Sequence, residues 1–240
     1  MRIVAVIQAR MGSTRLPGKI LRMLGGKQVL LHVIDRVCQS GVFDEVAVAT
    51  TDREIDDEAA ELAILHGVTV IRGDENDVLS RYGLAAEATN ADAIMRITAD
   101  CPLIDPDVLY DMVKRYQMGD AALVTNARIR SYPRGLDAEL FSRVALDAML
   151  ADAHRPSERE HVTPFLYAHP ERFAIVDHIA DTDHSDLRLT LDTPEDFEFL
   201  RLIFGTAQYP EQLRLREVLA LLQTHPAWRT INAHIEQKKA

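Results

Sequence analysis

Short β-branched or apolar runs alternate with amphipathic stretches through the first half of the chain, and this rhythm leaves few folds open. Strands are expected at 3–7, 45–50, 68–71, 93–98 and 122–125. Helices fit between them at 29–38, 54–66, 77–89 and 106–118. In the first helix Leu30, Val33, Ile34 and Val37 fall on one face, and the second ends on Gly67, a residue suited to the left-handed cap after a helix. Strand, helix, strand repeated in this way is the pattern of an α/β fold, a mostly parallel sheet with crossover helices on its faces.

After residue 125 the rhythm changes. "ARIRSYPRGLDAELFS" mixes Pro, Gly and charge with short strand-like pieces, "ERFAIVDHI" and "LRLTL" read as strands, and helices are expected at 143–152, 158–168 and 194–204. The C-terminal stretch reads as two short helices split near Pro226. No linker, repeat or low-complexity segment divides the chain, so 1–240 is expected to be one domain, with an arm or acceptor-side insertion at about 126–180. A bare stretch from 126 to 137 is unusual unless it binds something or packs on a partner chain.

Composition narrows the function. The 240 residues are 47% hydrophobic, enough for a sizeable core, and carry a net charge of −10, which argues against a general nucleic-acid surface because neutralising phosphates takes clustered Lys and Arg. Cys38 and Cys101 lie far apart with no C-x-x-C spacing, so neither a disulfide framework nor a zinc site is indicated and a cytoplasmic setting is expected. No run approaches membrane-spanning length.

An anionic ligand therefore needs a local basic pocket, and "QARMGSTRLPGK", residues 8–19, supplies one directly after the first strand. Its glycines let the backbone approach an anion, while Arg10, Ser13, Arg15 and Lys19 add charge and donors. It is not a Walker A loop: five residues separate Gly12 from Gly18, and Lys19 is followed by Ile20. In an open parallel sheet such a loop lies at the carboxyl end of its strand, where ligands sit.

Two carboxylates stand in the same relation to later strands. Asp100 follows "RIT" and Asp192 follows "LTL". The common task of such an Asp is to cap the next helix, but Asp105 before Pro106 and Thr193 before Pro194 are better placed for that. If their strands are neighbours, Asp100 and Asp192 face one Mg²⁺, a hard cation that takes one or two carboxylates and completes its shell with phosphate and water. "VIRGDENDVLSRY" adds Arg72 and Arg81, with Asp77 as an ordinary N-cap, and the irregular half gathers Arg134, Asp137, Glu139, Glu160 and His161. A nucleophile-elbow serine is absent, which disfavours covalent acyl chemistry.

Together "IQARMGSTRLPGKIL", "RGDENDVLSRY", "RITADCPLIDP" and "LTLDTPEDFEFL" resemble, in the same order along the whole chain, the CTP-dependent cytidylyltransferases that make CMP-activated sugar acids. "TADCPLIDP", "YPRGLDAELF" and "EREHVTPFLY" look most like the spore-coat polysaccharide branch. The resemblance implies a Rossmann-like nucleotidyltransferase fold with a small dimerisation arm in the second half, a homodimer, and CTP and Mg²⁺ as ligands. By motif match Ala9, Arg10, Gly12, Ser13 and Lys19 would contact CTP, Arg10 and Lys19 through its phosphates. Arg72 and Arg81 would lie near the nucleotide, and Asp100 and Asp192 would be the magnesium ligands. Arg134, Asp137, Glu139 and His161 are the candidates for the acceptor side. The Kdo branch of the family reads Gly-Asp-Glu-Pro where this chain has Ala99, Asp100, Cys101 and Pro102, so the CTP half carries over rather than the Kdo acceptor. Two other classes share parts of this pattern: a nucleotide-sugar glycosyltransferase, which releases no pyrophosphate, and a non-catalytic nucleotide-binding relative.

Overall fold

Seven strands, drawn from both halves of the chain, build one central sheet in a computed structural model that describes residues 1–236. The first half supplies β1 (Ile3–Gln8), β4 (Glu45–Thr51), β5 (Thr69–Gly73) and β6 (Ala93–Thr98), all parallel. A two-stranded hairpin, β2 (Met23–Leu24) and β3 (Lys27–Gln28), turns through Gly25 and Gly26 at φ 53° and 87°. Positive φ at both central residues suits the tight hairpin turn, and the sequence reading missed this element.

The second half adds β7 (Leu123–Thr125), β8 (Glu139–Ser142) and β9 (Ile175–Asp177), giving the order β5-β4-β1-β6-β8-β7-β9 in which β8 alone runs against the rest. Part of the stretch expected as an arm or acceptor-side insertion belongs to the sheet: β8 is wedged between β6 and β7, with Leu140 and Phe141 fully buried.

Alternation along the strands splits the apolar residues into two cores. Ile3, Ala5 and Ile7 of β1 face one, and Val4 and Val6 face the other. Against the first face pack α1 (Val29–Gln39), α2 (Asp57–Leu65), α4 (Pro106–Tyr116), α8 (Pro194–Thr206) and α9 (Leu215–Thr224). Against the second pack α3 (Val78–Thr89), α5 (Arg143–Asp152) and α7 (Pro164–Ala168), with α6 (Pro156–His161) lying beside α3. Helix ends follow the chemistry of their sequence. Asp77, Asp105 and Thr193 each accept a backbone N–H of the first turn, and Gly67 at φ 85° ends α2 with its N–H on the Ile64 carbonyl while Val68 N–H reaches Ala63.

Two expectations need correcting. Residues 158–168 are not one helix: α6 stops at His161, Val162 takes φ 71°, and Pro164, which lacks an N–H, starts α7. "LRLTL" is not a strand of the sheet. Leu187, Leu189 and Leu191 do alternate into the first core, but the backbone is held by scattered bonds, Arg134 N–H to Leu187 O, Leu189 N–H to Arg134 O and Leu191 N–H to Asp100 O, with a single bridge between Arg134 and Arg188. Among the described residues no helix is long and apolar enough to cross a membrane.

Candidate active site

The crossovers diverge at the carboxyl ends of β1 and β6. From β1 the chain moves to β4 on one side and from β6 to β7 on the other, so a crevice opens where Gln8 and Thr98 stand side by side in register. It widens into a cleft of about 1640 Å³, ample for a nucleoside triphosphate and a second substrate. A depression of about 90 Å³ behind Arg134 and Arg188 is too small for either.

One wall is the loop after β1. Its shape is fixed from beneath by Asp56, 1% exposed, which accepts Met11 N–H at 2.6 Å and the Thr51 hydroxyl. The Ser13 hydroxyl accepts Leu16 N–H at 3.2 Å, and Gly18 takes φ 66° to turn the chain into a short 3-10 helix, Lys19–Leu21. A Cβ on Gly12 would meet Glu75 Oε1 at 3.3 Å, so the loop runs close under the neighbouring turn. Arg10, Gly12, Ser13, Arg15 and Lys19 all line the cleft, whereas Ala9 is buried with its N–H on the Ala49 carbonyl.

Opposite stand Asp100 and Asp192, and the structure brings them together. The Lys19 ammonium donates to Asp100 Oδ2 at 2.6 Å and to Asp192 Oδ1 at 2.8 Å. Arg15 and Arg188 reach the other oxygen of Asp192 at 3.2 and 2.7 Å. Burial disfavours the Lys19 ammonium, but the two carboxylates outweigh it and raise its pKa. Burial likewise opposes ionisation of Asp100, and Lys19 overrides it to hold that carboxyl below its usual range. Neither acid is spent on capping, since Asp105 and Thr193 cap α4 and α8.

A wider frame holds both acids in place. Arg36, 2% exposed and pushed down to about 10 by burial, ties Pro102 O, just past Asp100, to Leu213 O. Asp196, fully buried, accepts Asp192 N–H at 2.9 Å and binds Arg188 and Asn232. Two hard oxygen donors converging on one cation-sized point suit Mg²⁺. Among the described residues no third His, Cys, Asp or Glu joins them, so the remaining ligands would be phosphate oxygens and water.

The far wall comes from the irregular half. Gly135, at φ 100°, lies so close to the 187–191 segment that a Cβ would sit 2.5 Å from Leu189 C. This turn presents Arg130, paired with Asp137 at 2.5 Å, and Arg134, whose guanidinium has no hydrogen bond or ion pair among the described residues. Burial and the neighbouring Arg130 lower the Arg134 pKa, with Arg188 adding to the effect. His161 lines the same wall. Glu139 lines it too but is committed: Arg96 donates to it at 2.6 Å, Thr163 at 2.7 Å, and Tyr167 donates as well, so it serves as the anchor of a buried network rather than as a free acceptor group.

Arg72 and Arg81 do not line the cleft. Arg72 donates to the Thr51 and Arg53 carbonyls and pairs with Asp57, while Arg81, fully buried, donates to the carbonyls of Asp74 and Glu75 and shapes the turn above Gly12. Sequence reasoning missed Gln8, Arg96, Asp56, Arg188 and Asp196. Of these Arg96 had a signal, a charge amid an otherwise apolar strand, and Gln8 a weaker one, a polar residue closing an apolar run.

Residues 4–224 match the family model described as cytidylyltransferase. The chain is 34% identical over 233 residues to the spore coat polysaccharide biosynthesis protein SpsF of Bacillus subtilis, covering 93% of this chain and 95% of that one. A solved cytidylyltransferase of Leptospira borgpetersenii superposes with TM-score 0.91 at 35% identity, covering all of both chains. A CMP:2-keto-3-deoxy-manno-octonic acid synthetase complexed with CTP shares the fold at TM-score 0.67 and 21% identity, over 85% of this chain and 99% of that one. With the cationic loop, the paired carboxylates and a match across nearly its whole length, the chain belongs to the cytidylyltransferase family.

Proposed function

We propose that the protein transfers CMP from CTP to the hydroxyl of a sugar acid or related anionic acceptor, for surface polysaccharide synthesis in the cytoplasm. The acceptor oxygen bonds to the α-phosphorus, the bond from that phosphorus to the bridging oxygen breaks, pyrophosphate leaves and the hydroxyl proton passes to water. The carrying observation is the convergence of Lys19 with Asp100 and Asp192 across from the loop that holds Arg10.

Phosphoryl transfer asks the protein for position and charge rather than covalent work. Asp100 and Asp192 would hold Mg²⁺, which when bound neutralises charge on the phosphates. Arg10 and Lys19 grip the β and γ phosphates, and Arg15 and Arg188 fix the second oxygen of Asp192. At the far wall Arg134, a cation with no partner of its own among the described residues, receives the acceptor's anionic group, with Asp137 and His161 beside it. The open β9 edge and the exposed Ile129 and Ile179 support a homodimer through this half.

A pyrophosphate-release screen with the four ribonucleotides against sugar acids and amino sugars tests the reading. The expected result is turnover with CTP and an anionic sugar. No turnover with the ribonucleotides but release of nucleotide from an added nucleotide sugar would instead mark a glycosyltransferase, and CTP binding with no turnover of CTP or of any nucleotide sugar a non-catalytic relative.

A further inference from the structure

The floor of the cleft carries a polar shelf that none of the assigned roles uses. Gln8, Arg96 and Glu139 emerge on the same face of β1, β6 and β8, three adjacent strands, just beyond the apolar residues Val6, Ile94 and Phe141 of that face. Arg96 and Glu139 are register partners joined by an ion pair, and Thr163 and Tyr167 close over the Glu139 carboxylate. Among the described residues two buried atoms of cleft-lining side chains have no partner, Gln8 Oε1 and Arg96 Nε. A buried polar atom left unpaired costs about 1–3 kcal/mol, so such a pair facing a substrate cleft points to a group that arrives with the substrate.

The two atoms define that group. Gln8 Oε1 accepts and Arg96 Nε–H donates, so a ligand group that serves both must be able to donate as well as accept. A hydroxyl does both. A carboxylate would satisfy Arg96 but oppose the amide oxygen, and an ammonium would do the reverse. Glu139 already neutralises the Arg96 charge, so the shelf favours a neutral polar group, whereas Arg134, without an ion pair among the described residues, keeps its charge for an anion.

We propose that Gln8 and Arg96 form a hydroxyl-binding subsite, which with Arg134 selects a polyhydroxylated carboxylic acid over a simple carboxylate. This rests on reading the cleft as a cytidylyl-transfer site. Thermal shift and calorimetric titration of the intact protein with glucuronate, galacturonate, 2-keto-3-deoxy-octonate and, as the hydroxyl-free contrast, succinate would test it.

At least one sugar acid should stabilise the wild type more than succinate does. Its affinity should fall about tenfold in Gln8→Met, which keeps the side-chain length and the Arg96–Glu139 pair, while the shift with Mg²⁺ and CTP stays. Arg96→Lys, which retains a charge for Glu139 but loses the Nε–H, should do the same. Equal sugar-acid affinity in wild type and Gln8→Met would overturn the proposal, and so would a panel in which no sugar acid outperforms succinate, the shelf then holding water only. A sugar acid that binds through Gln8 yet yields no pyrophosphate with CTP would instead refute the cytidylyl-transfer reading and leave the subsite standing.

Discussion

The two walls of the cleft are built on opposite principles. Along the wall of Lys19, Asp100 and Asp192 every charge finds its partner within the chain, and the segments carrying them follow regular parallel strands or cap a helix. The far wall is irregular and leaves Arg134 without an ion pair among the described residues, and the strand floor beside it leaves Gln8 Oε1 and Arg96 Nε without partners among them. Under the proposed function, a site that holds the same triphosphate each time can be pre-assembled around its own ion pairs, Lys19 neutralising the two acids. A site that must tell one sugar from another leaves its polar groups open, because discrimination comes from groups that only the right substrate satisfies.

This contrast can be broken at several points. Asp100→Asn, at the pre-assembled wall, should cost most, about a thousandfold in kcat, with acceptor KM little changed. Lys19→Ala should follow at about a hundredfold, or roughly 3 kcal/mol of barrier. If pyrophosphate release by either variant matched the wild type, the two walls would have no division of labour.

Gly135→Ala probes the acceptor wall's scaffold. A Cβ 2.5 Å from the Leu189 carbonyl carbon, at φ 100°, should remove at least about 2 kcal/mol of stability in urea unfolding. Arg134→Ala should raise acceptor KM about tenfold, the worth of one charge-assisted hydrogen bond, and leave CTP KM alone. A shift in CTP KM instead would move Arg134 to the nucleotide side.

The smallest effect is in pH. The depressed Asp100 pKa contributes stability that is present above the ordinary carboxyl value of 3.8 and is lost as pH falls below it. The raised Lys19 pKa contributes stability that is complete below 10.5 and is lost as pH climbs through the higher folded value. The stability gap between wild type and the double variant Lys19→Met, Asp100→Asn should therefore be flat between those limits and change at both ends. A gap that varied in the neutral range would assign the pH response to other groups.

Legibility in the sequence follows the same division. Strands buried on both faces announce themselves by composition, and assigning the caps to Asp105 and Thr193 left Asp100 and Asp192 without a structural task, and the fold brings the two together at Lys19. The acceptor wall was obscured because its groups are set by tertiary contact. "LRLTL" alternates like a strand yet bonds one residue at a time to the Gly135 turn and to Asp100, and Glu139, read as a free acid, is consumed by Arg96, Thr163 and Tyr167. Arg72 and Arg81 lie close in sequence to the turn above Gly12, but Arg72 donates to the Thr51 and Arg53 carbonyls and Arg81 Nη1 to those of Asp74 and Glu75, outside the cleft. Gln8 escaped notice since a polar residue ending a strand is ordinary until its amide oxygen is found buried and alone.

The paired acids are best tested by crystals grown with CTP and Mn²⁺, whose anomalous signal locates the metal. The expected map has a metal peak within coordination distance of both Asp100 and Asp192, with the Lys19 ammonium withdrawn from between them onto the triphosphate. A metal bound elsewhere while Lys19 still bridges the two carboxylates beside bound CTP would contradict the assignment.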